Sequence, residues 1–179
     1  MVLIDATTLL LLLDLDARPP RDPATKKPLE NCKERIEFLI ETLSEAGSRV
    51  VVPTPVLSEL LVRRGEGRSE YLAQLTSAYT FILAPFDVRA AVELSFLLEA
   101  DLKPRKKKLD DRETWAKMKF DRQIIAIAKV NNVHTIYSDD TSLAAVGRAN
   151  GLTVIPTWDL PLPPVKAQGE LDFQPKDKR

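Results

Sequence analysis

The chain holds one cysteine, one histidine and few aromatic residues, and its formal charges cancel. Each shortage excludes something. A lone Cys32 excludes an intrachain disulfide and fits a reducing compartment, the cytoplasm. With no histidine near it in sequence, it reads as an ordinary helix residue rather than a nucleophile. The lone His134 lies beside Val133 and Ile136 in a strand body and reads as structural, since function in α/β sheets gathers at strand ends. Aromatics make up 6% of the chain, too few for extensive stacking of nucleobases. Lys+Arg 26 against Asp+Glu 26 gives net charge +0, so a polyanion would have to be held by a local basic patch. The leucine run 9–13 is too short to span a membrane, and Asp5 precedes it while Asp14 and Asp16 follow. Neither a transmembrane helix nor a signal peptide is read.

What is present suffices for one ordinary domain with a core: 179 residues, 44% hydrophobic and 29% charged. Strands are expected at 2–5, 49–52, 80–83, 133–137 and 152–155. Helices are expected at 7–13 with Thr7 or Thr8 as cap, at 32–46 closed by Gly47, and at 56–64, 69–78 and 87–99. Two more follow, at 112–130 with a break near Phe120 and at 142–150 closed by Gly151. Residues 14–31 carry Pro19, Pro20, Pro23 and Pro28 and form a loop. Strands alternating with helices imply an α/β fold, a three-layer α/β/α sandwich with a five-stranded parallel sheet. The domain is expected to span 1–158. A Pro-rich, charged tail occupies 159–179.

Four acids flank the strongly apolar segments. Asp5 follows Val2-Leu3-Ile4, and Glu59 follows Val50-Val51-Val52 and a Pro-rich turn. Asp121 opens Ile124-Ile125-Ala126-Ile127-Ala128, and Asp140 follows Thr135-Ile136-Tyr137-Ser138. The ligand crevice of an α/β sheet lies at the carboxyl ends of its strands. Carboxylates gathered there repel one another and are costly to desolvate unless a cation joins them. All-oxygen donors favour a hard ion, Mg²⁺ or Mn²⁺. Two such ions about 3.5–4 Å apart would activate water and stabilise a leaving oxygen, without a catalytic histidine. Thr7 and Ser138 stand two residues from Asp5 and Asp140, placed to support them. Asp139 competes with Asp140 for the fourth position, because adjacent strand residues point to opposite sides. Taken singly, any of these acids also suits a helix start. Their joint placement is what points to a site.

These residues resemble the PIN-domain nucleases, including the VapC-type toxins of toxin–antitoxin pairs. The likeness rests on Val-Leu-Ile-Asp5-Ala-Thr7, on Val-Pro-Thr-Pro-Val-Leu-Ser-Glu59-Leu-Leu, on Lys-Phe-Asp121-Arg-Gln-Ile-Ile-Ala-Ile-Ala and on Thr-Ile-Tyr-Ser138-Asp139-Asp140. Their order fits over residues 2–156. The resemblance implies a five-stranded parallel sheet, Mg²⁺ or Mn²⁺, endoribonuclease activity on RNA, an antitoxin partner and a homodimer. It implies Asp5, Glu59, Asp121 and Asp140 as catalytic metal ligands, with Thr7 and Ser138 as neighbours. The chain departs from the family pattern in lacking a further acid just past the fourth, where Thr141 and Ser142 stand. It also departs in its extra length at 14–31, 103–109 and the tail.

RNA contact would draw on local cations. Candidates are Arg63, Arg64 and Arg68 after Glu59, the run Arg105, Lys106, Lys107 and Lys108, and Lys117, Lys119 and Arg122 around Asp121. A solvated charged surface is the plain alternative for each run. Two other readings of the whole chain stand. One is a phosphatase of the haloacid-dehalogenase type, which also begins with an Asp after its first strand. It normally wants a second Asp two residues on, where this chain has Thr7, and it leaves Glu59 and Asp121 without tasks. The other is a non-catalytic module that binds RNA or a partner protein.

Overall fold

Apolar residues run on without alternation in the central strands because both faces of the sheet are covered, as parallel sheets require. The computed structural model describes residues 1–14, 16–102 and 112–164. Among them β1 (Val2–Ile4) and β2 (Val50–Pro53) are buried throughout. β3 (Phe81–Ala84), β4 (Thr135–Tyr137) and β5 (Thr153–Ile155) complete a five-stranded sheet in the order β3-β2-β1-β4-β5. Every pairing is parallel, and β3 and β5 form the edges.

The helices are α1 (Ala6–Leu13), α2 (Cys32–Glu45), α3 (Thr54–Arg64), α4 (Arg68–Ser77), α5 (Val88–Leu102), α6 (Arg112–Val130) and α7 (Thr141–Ala149). The chain moves outward from β1 to β3 through α1–α4 and returns to β4 and β5 through α5–α7. Since parallel crossovers are right-handed as a rule, this reversal of direction assigns the two sets of helices to opposite faces. The packing pairs agree: α1 lies against α2 and α3, and α6 against α5 and α7. The result is the expected α/β/α arrangement. The order reverses between β1 and β4, so the carboxyl ends of those neighbours open a crevice.

Several local expectations are corrected. α1 is capped by Asp5, whose side chain accepts from the Thr8 amide, and not by Thr7 or Thr8; the aspartate stands one residue ahead of the helix in extended backbone, where an acceptor reaches the first free amides. α6 runs unbroken through Phe120, which packs half-buried against the core. Ile124 through Ala128 are all buried, so this stretch of the helix is covered on every side, whereas Lys117, Lys119 and Lys129 are exposed. His134 lies just before β4 rather than inside it, and it is exposed. Cys32 is buried at the start of α2, donates to the Leu29 carbonyl at 3.1 Å, and burial pushes its thiol up to about 11. The packed chain continues past Trp158: Leu160 is buried and its carbonyl accepts from Arg35. The rest of the expected tail from residue 165, and the basic run 103–109, lie outside the described residues. No helix among the described residues is long and apolar enough to cross a membrane.

Gly147 shows how closely α7 is held. A Cβ there would stand 2.9 Å from Val154 Cγ2 and 3.5 Å from Ile125 Cδ1. Valine in a strand has little rotamer freedom to yield. Gly147→Ala is therefore expected to destabilise by about 1–3 kcal/mol despite its better helix propensity. For a domain of this size each kcal/mol lowers Tm by about 2–4 °C. Thermal unfolding followed by circular dichroism checks this; an unchanged or raised Tm would refute the close packing of α7 on the sheet.

Candidate active site

Asp5 and Asp121 are the most deeply buried of the acids, at 5% and 4% exposure. The Asp5 carboxylate bridges the two strands at the order reversal. Oδ1 accepts from the Thr8 amide at 2.8 Å, and Oδ2 accepts from the Ser138 hydroxyl. The Asp5 amide donates in turn to the Tyr137 carbonyl at 3.1 Å. Ser138 also accepts from the Asp140 amide at 3.0 Å, so one hydroxyl joins the β1 and β4 termini. Burial pushes the Asp5 carboxyl up to about 6, against the opposing pull of the Ser138 hydroxyl and the Thr8 amide.

Asp140 caps α7. Its Oδ1 accepts from the amides of Ser142 at 2.7 Å and Leu143 at 3.1 Å, and its Oδ2 pairs with Lys117 Nζ at 3.0 Å. Burial opposes its ionisation, but Lys117 and the two amides outweigh that, and its carboxyl is held below the usual range. Asp121 sits within α6, 4% exposed, one turn before Ile124 and Ile125. Its Oδ2 accepts from Ser142 Oγ at 2.6 Å. Burial nonetheless raises its carboxyl, aided by the nearby charge of Asp140. Glu59 lies in the second turn of α3, and its Oε1 pairs with Arg63 Nη2 at 2.6 Å, one turn on. Asp5 and Asp140 therefore follow strands, whereas Glu59 and Asp121 are delivered by helices.

All four acids line one cleft of about 510 Å³, together with Thr7, Val56, Phe120, Leu143 and the cations Arg63 and Lys117. Asp139 does not join them. Its two oxygens accept from the Thr157 amide at 2.6 Å and the Thr157 hydroxyl at 2.8 Å. Adjacent residues leaving β4 thus point apart, one toward the cleft and one toward the 3-10 turn Thr157–Asp159. Thr7 lines the cleft, while the donors to Asp5 are Thr8 and Ser138. Ser142, which reaches both Asp121 and Asp140, was absent from the expected set. Its signal in sequence was slight, a hydroxyl two residues into a helix.

The basic candidates separate. Arg63 faces the cleft. Arg64 lies 5.1 Å from the Tyr71 ring centre and 3.7 Å from Glu70, and Arg68 donates to the Leu61 carbonyl at 3.1 Å. Arg122 is buried at 8% exposure and donates to the Met118 carbonyl at 3.0 Å, which leaves it poorly placed for a phosphate. Lys119 is exposed. Lys106, Lys107 and Lys108 lie outside the described residues.

Among the described residues, no three Asp, Glu, His or Cys side chains are drawn together closely enough to hold a metal ion. Each carboxylate instead has donors of its own, and two of them hold a cation each, Lys117 on Asp140 and Arg63 on Glu59. Spreading apart onto separate donors is how like charges relieve their repulsion without a shared ion.

No protein-family model and no curated protein matches the chain. Solved structures do. One is VapBC2 from Rickettsia felis bound to a DNA fragment from its promoter, with TM-score 0.53 and 12% identity over 87% of this chain and 98% of that one. Another is VapC20 of Mycobacterium tuberculosis, a toxin that cleaves the sarcin–ricin loop, with TM-score 0.50 and 12% identity over 82% and 95%. The chain therefore has the fold of the VapC PIN-domain toxins, as the sequence resemblance implied.

The buried Asp5 makes stability depend on pH. Its carboxyl moves from 3.8 to about 6 on folding. The folded chain keeps a proton that the unfolded chain releases, so this contribution is full below pH 3.8, is lost as pH rises toward 6, and becomes a net cost above it. At about 1.4 kcal/mol per pKa unit the ionised group costs the metal-free fold on the order of 3 kcal/mol. Asp5→Asn keeps an effective cap. In EDTA it is expected to raise Tm at pH 8 by about 6–12 °C and to leave it nearly unchanged at pH 4. Melting both proteins at the two pH values tests this, and a pH-independent difference would show that Asp5 is not the strained charge.

Proposed function

We propose that the chain is a metal-dependent endoribonuclease. The observation that carries this reading is the convergence of Asp5, Glu59, Asp121 and Asp140 from four separate segments onto one cleft at the reversal of strand order. The donor set is all oxygen, suited to Mg²⁺ or Mn²⁺. Burial leaves Asp5 and Asp121 reluctant to ionise without a nearby cation, which is the environment that such an ion relieves. Lys117 and Arg63 now provide part of that neutralisation. Both are about half exposed on long flexible stems, so their removal from the carboxylates costs little.

Asp5, Glu59, Asp121 and Asp140 would hold the ion or ions, which supply Lewis acidity toward a phosphodiester and lower the pKa of water. The chain's own groups do the remaining work. Ser138 and Thr8 keep Asp5 aimed outward from the sheet, and the α7 amides fix Asp140. Once free of their carboxylates, Lys117 and Arg63 stand at the cleft to grip the phosphates of a bound strand. The phosphatase alternative would leave Glu59 and Asp121 idle, although they line the same cleft as Asp5.

The toxin role and the antitoxin partner are the finer part of the proposal, supported by the VapC fold. The homodimer has support from α5, where Val88, Val92 and Phe96, four residues apart, are 80%, 51% and 61% exposed. If that stripe is the contact, Phe96→Glu shifts sedimentation from dimer to monomer; a wild-type monomer would remove it.

Incubation with a pool of structured and single-stranded RNA tests the activity. Wild type with Mn²⁺ or Mg²⁺ is expected to leave 5′-phosphate and 3′-hydroxyl ends. EDTA and Asp121→Asn should each abolish cleavage while the variant stays folded. Induced expression should arrest growth with wild type and not with Asp121→Asn. Wild-type rates from Asp121→Asn would overturn the site. Metal uptake without cleavage of any RNA would favour the non-catalytic binding module.

A further inference from the structure

Ser142 serves two of the four carboxylates with two different groups. It is the second residue of α7. Its backbone amide donates to Asp140 Oδ1 at 2.7 Å, and its hydroxyl donates to Asp121 Oδ2 at 2.6 Å. The two acids reach the cleft from different elements, Asp121 from α6 and Asp140 from the turn between β4 and α7. One residue thus ties both at the place where they line the cavity. Asp121 is almost without solvent, so its orientation depends on the donors the protein supplies.

We propose that Ser142 is a positioning residue of the cleft: its hydroxyl holds Asp121 in the orientation from which, beside Asp140, it takes a divalent cation. This rests on the metal reading above. Substitution separates the two bonds of Ser142. The amide belongs to the backbone, so Ser142→Ala keeps the cap on α7 and the hold on Asp140. Only the hydroxyl bond to Asp121 is lost. Ser142→Thr restores a hydroxyl at the same Cβ. A hydrogen bond that served stability alone would lower Tm when removed and leave the folded protein's ion affinity where it was.

The test is calorimetric titration of the full chain with Mn²⁺ alone, well below the melting temperature of every variant. Loss of an outer hydrogen bond to a metal-binding carboxylate weakens binding by about 10–100-fold. Ser142→Ala is expected to weaken Mn²⁺ within that range, and Ser142→Thr to return close to wild type. Equal affinity for wild type and Ser142→Ala would overturn the positioning role and leave the metal reading intact. Absence of Mn²⁺ uptake by the wild type would overturn the metal reading, and this proposal with it. Equal weakening by alanine and threonine would also overturn it, since the hydroxyl would then not be the operative group.

Discussion

The hydrogen bond from Ser138 to Asp5 joins the two strands between which the sheet reverses its order, and the cleft is arranged around it. Asp5 cannot be moved independently of that junction. It caps α1, closes the end of β1 and faces the neighbouring strand through one short side chain. Placing a carboxylate there opposes folding, because burial penalises its charge. The position is tolerated because the amide and hydroxyl donors are built into the chain turns on either side.

From that anchor the rest of the electrostatics follows. Four acids around one crevice would repel strongly if left bare. The fold hands each a partner instead: helix amides and Lys117 to Asp140, Ser142 to Asp121, Arg63 to Glu59. The inner acids depend on neutral donors, and the outer ones on mobile cations. This gradient runs from fixed to exchangeable neutralisation, so the rim can be rearranged without disturbing the sheet.

The strands, their parallel packing and the four acids were legible in the sequence, because apolar runs with flanking Asp or Glu survive without tertiary information. The side-chain partners were not. Thr7 and Thr8 looked like caps by residue type, yet the cap is Asp5, because where the helix begins within one residue is decided by the strand before it. Asp140 was favoured over Asp139 from the sequence, but only the direction of the chain leaving β4 separates them: Asp140 lines the cleft and Asp139 turns to Thr157. Arg122 looked like a surface cation and is buried along its own helix. Ser142 was overlooked because its value lies in reaching an acid 21 residues earlier, which no local pattern encodes.

The strand order carries a consequence for how the molecule comes to exist. Of the five strands of this sheet β1 is made first and lies in the middle, yet β4, its partner on one side, arrives far later; Ser138 lies 133 residues from Asp5. β1 can pair early only with β2. Contacts that span so much chain close slowly, since loop entropy must be overcome before they form. Half of the crevice is therefore missing until synthesis has passed β4. A ribosome building this chain holds a nascent product with Asp5 and Glu59 but without Asp121 and Asp140, and whatever chemistry the cleft performs begins only after synthesis has passed its last acid.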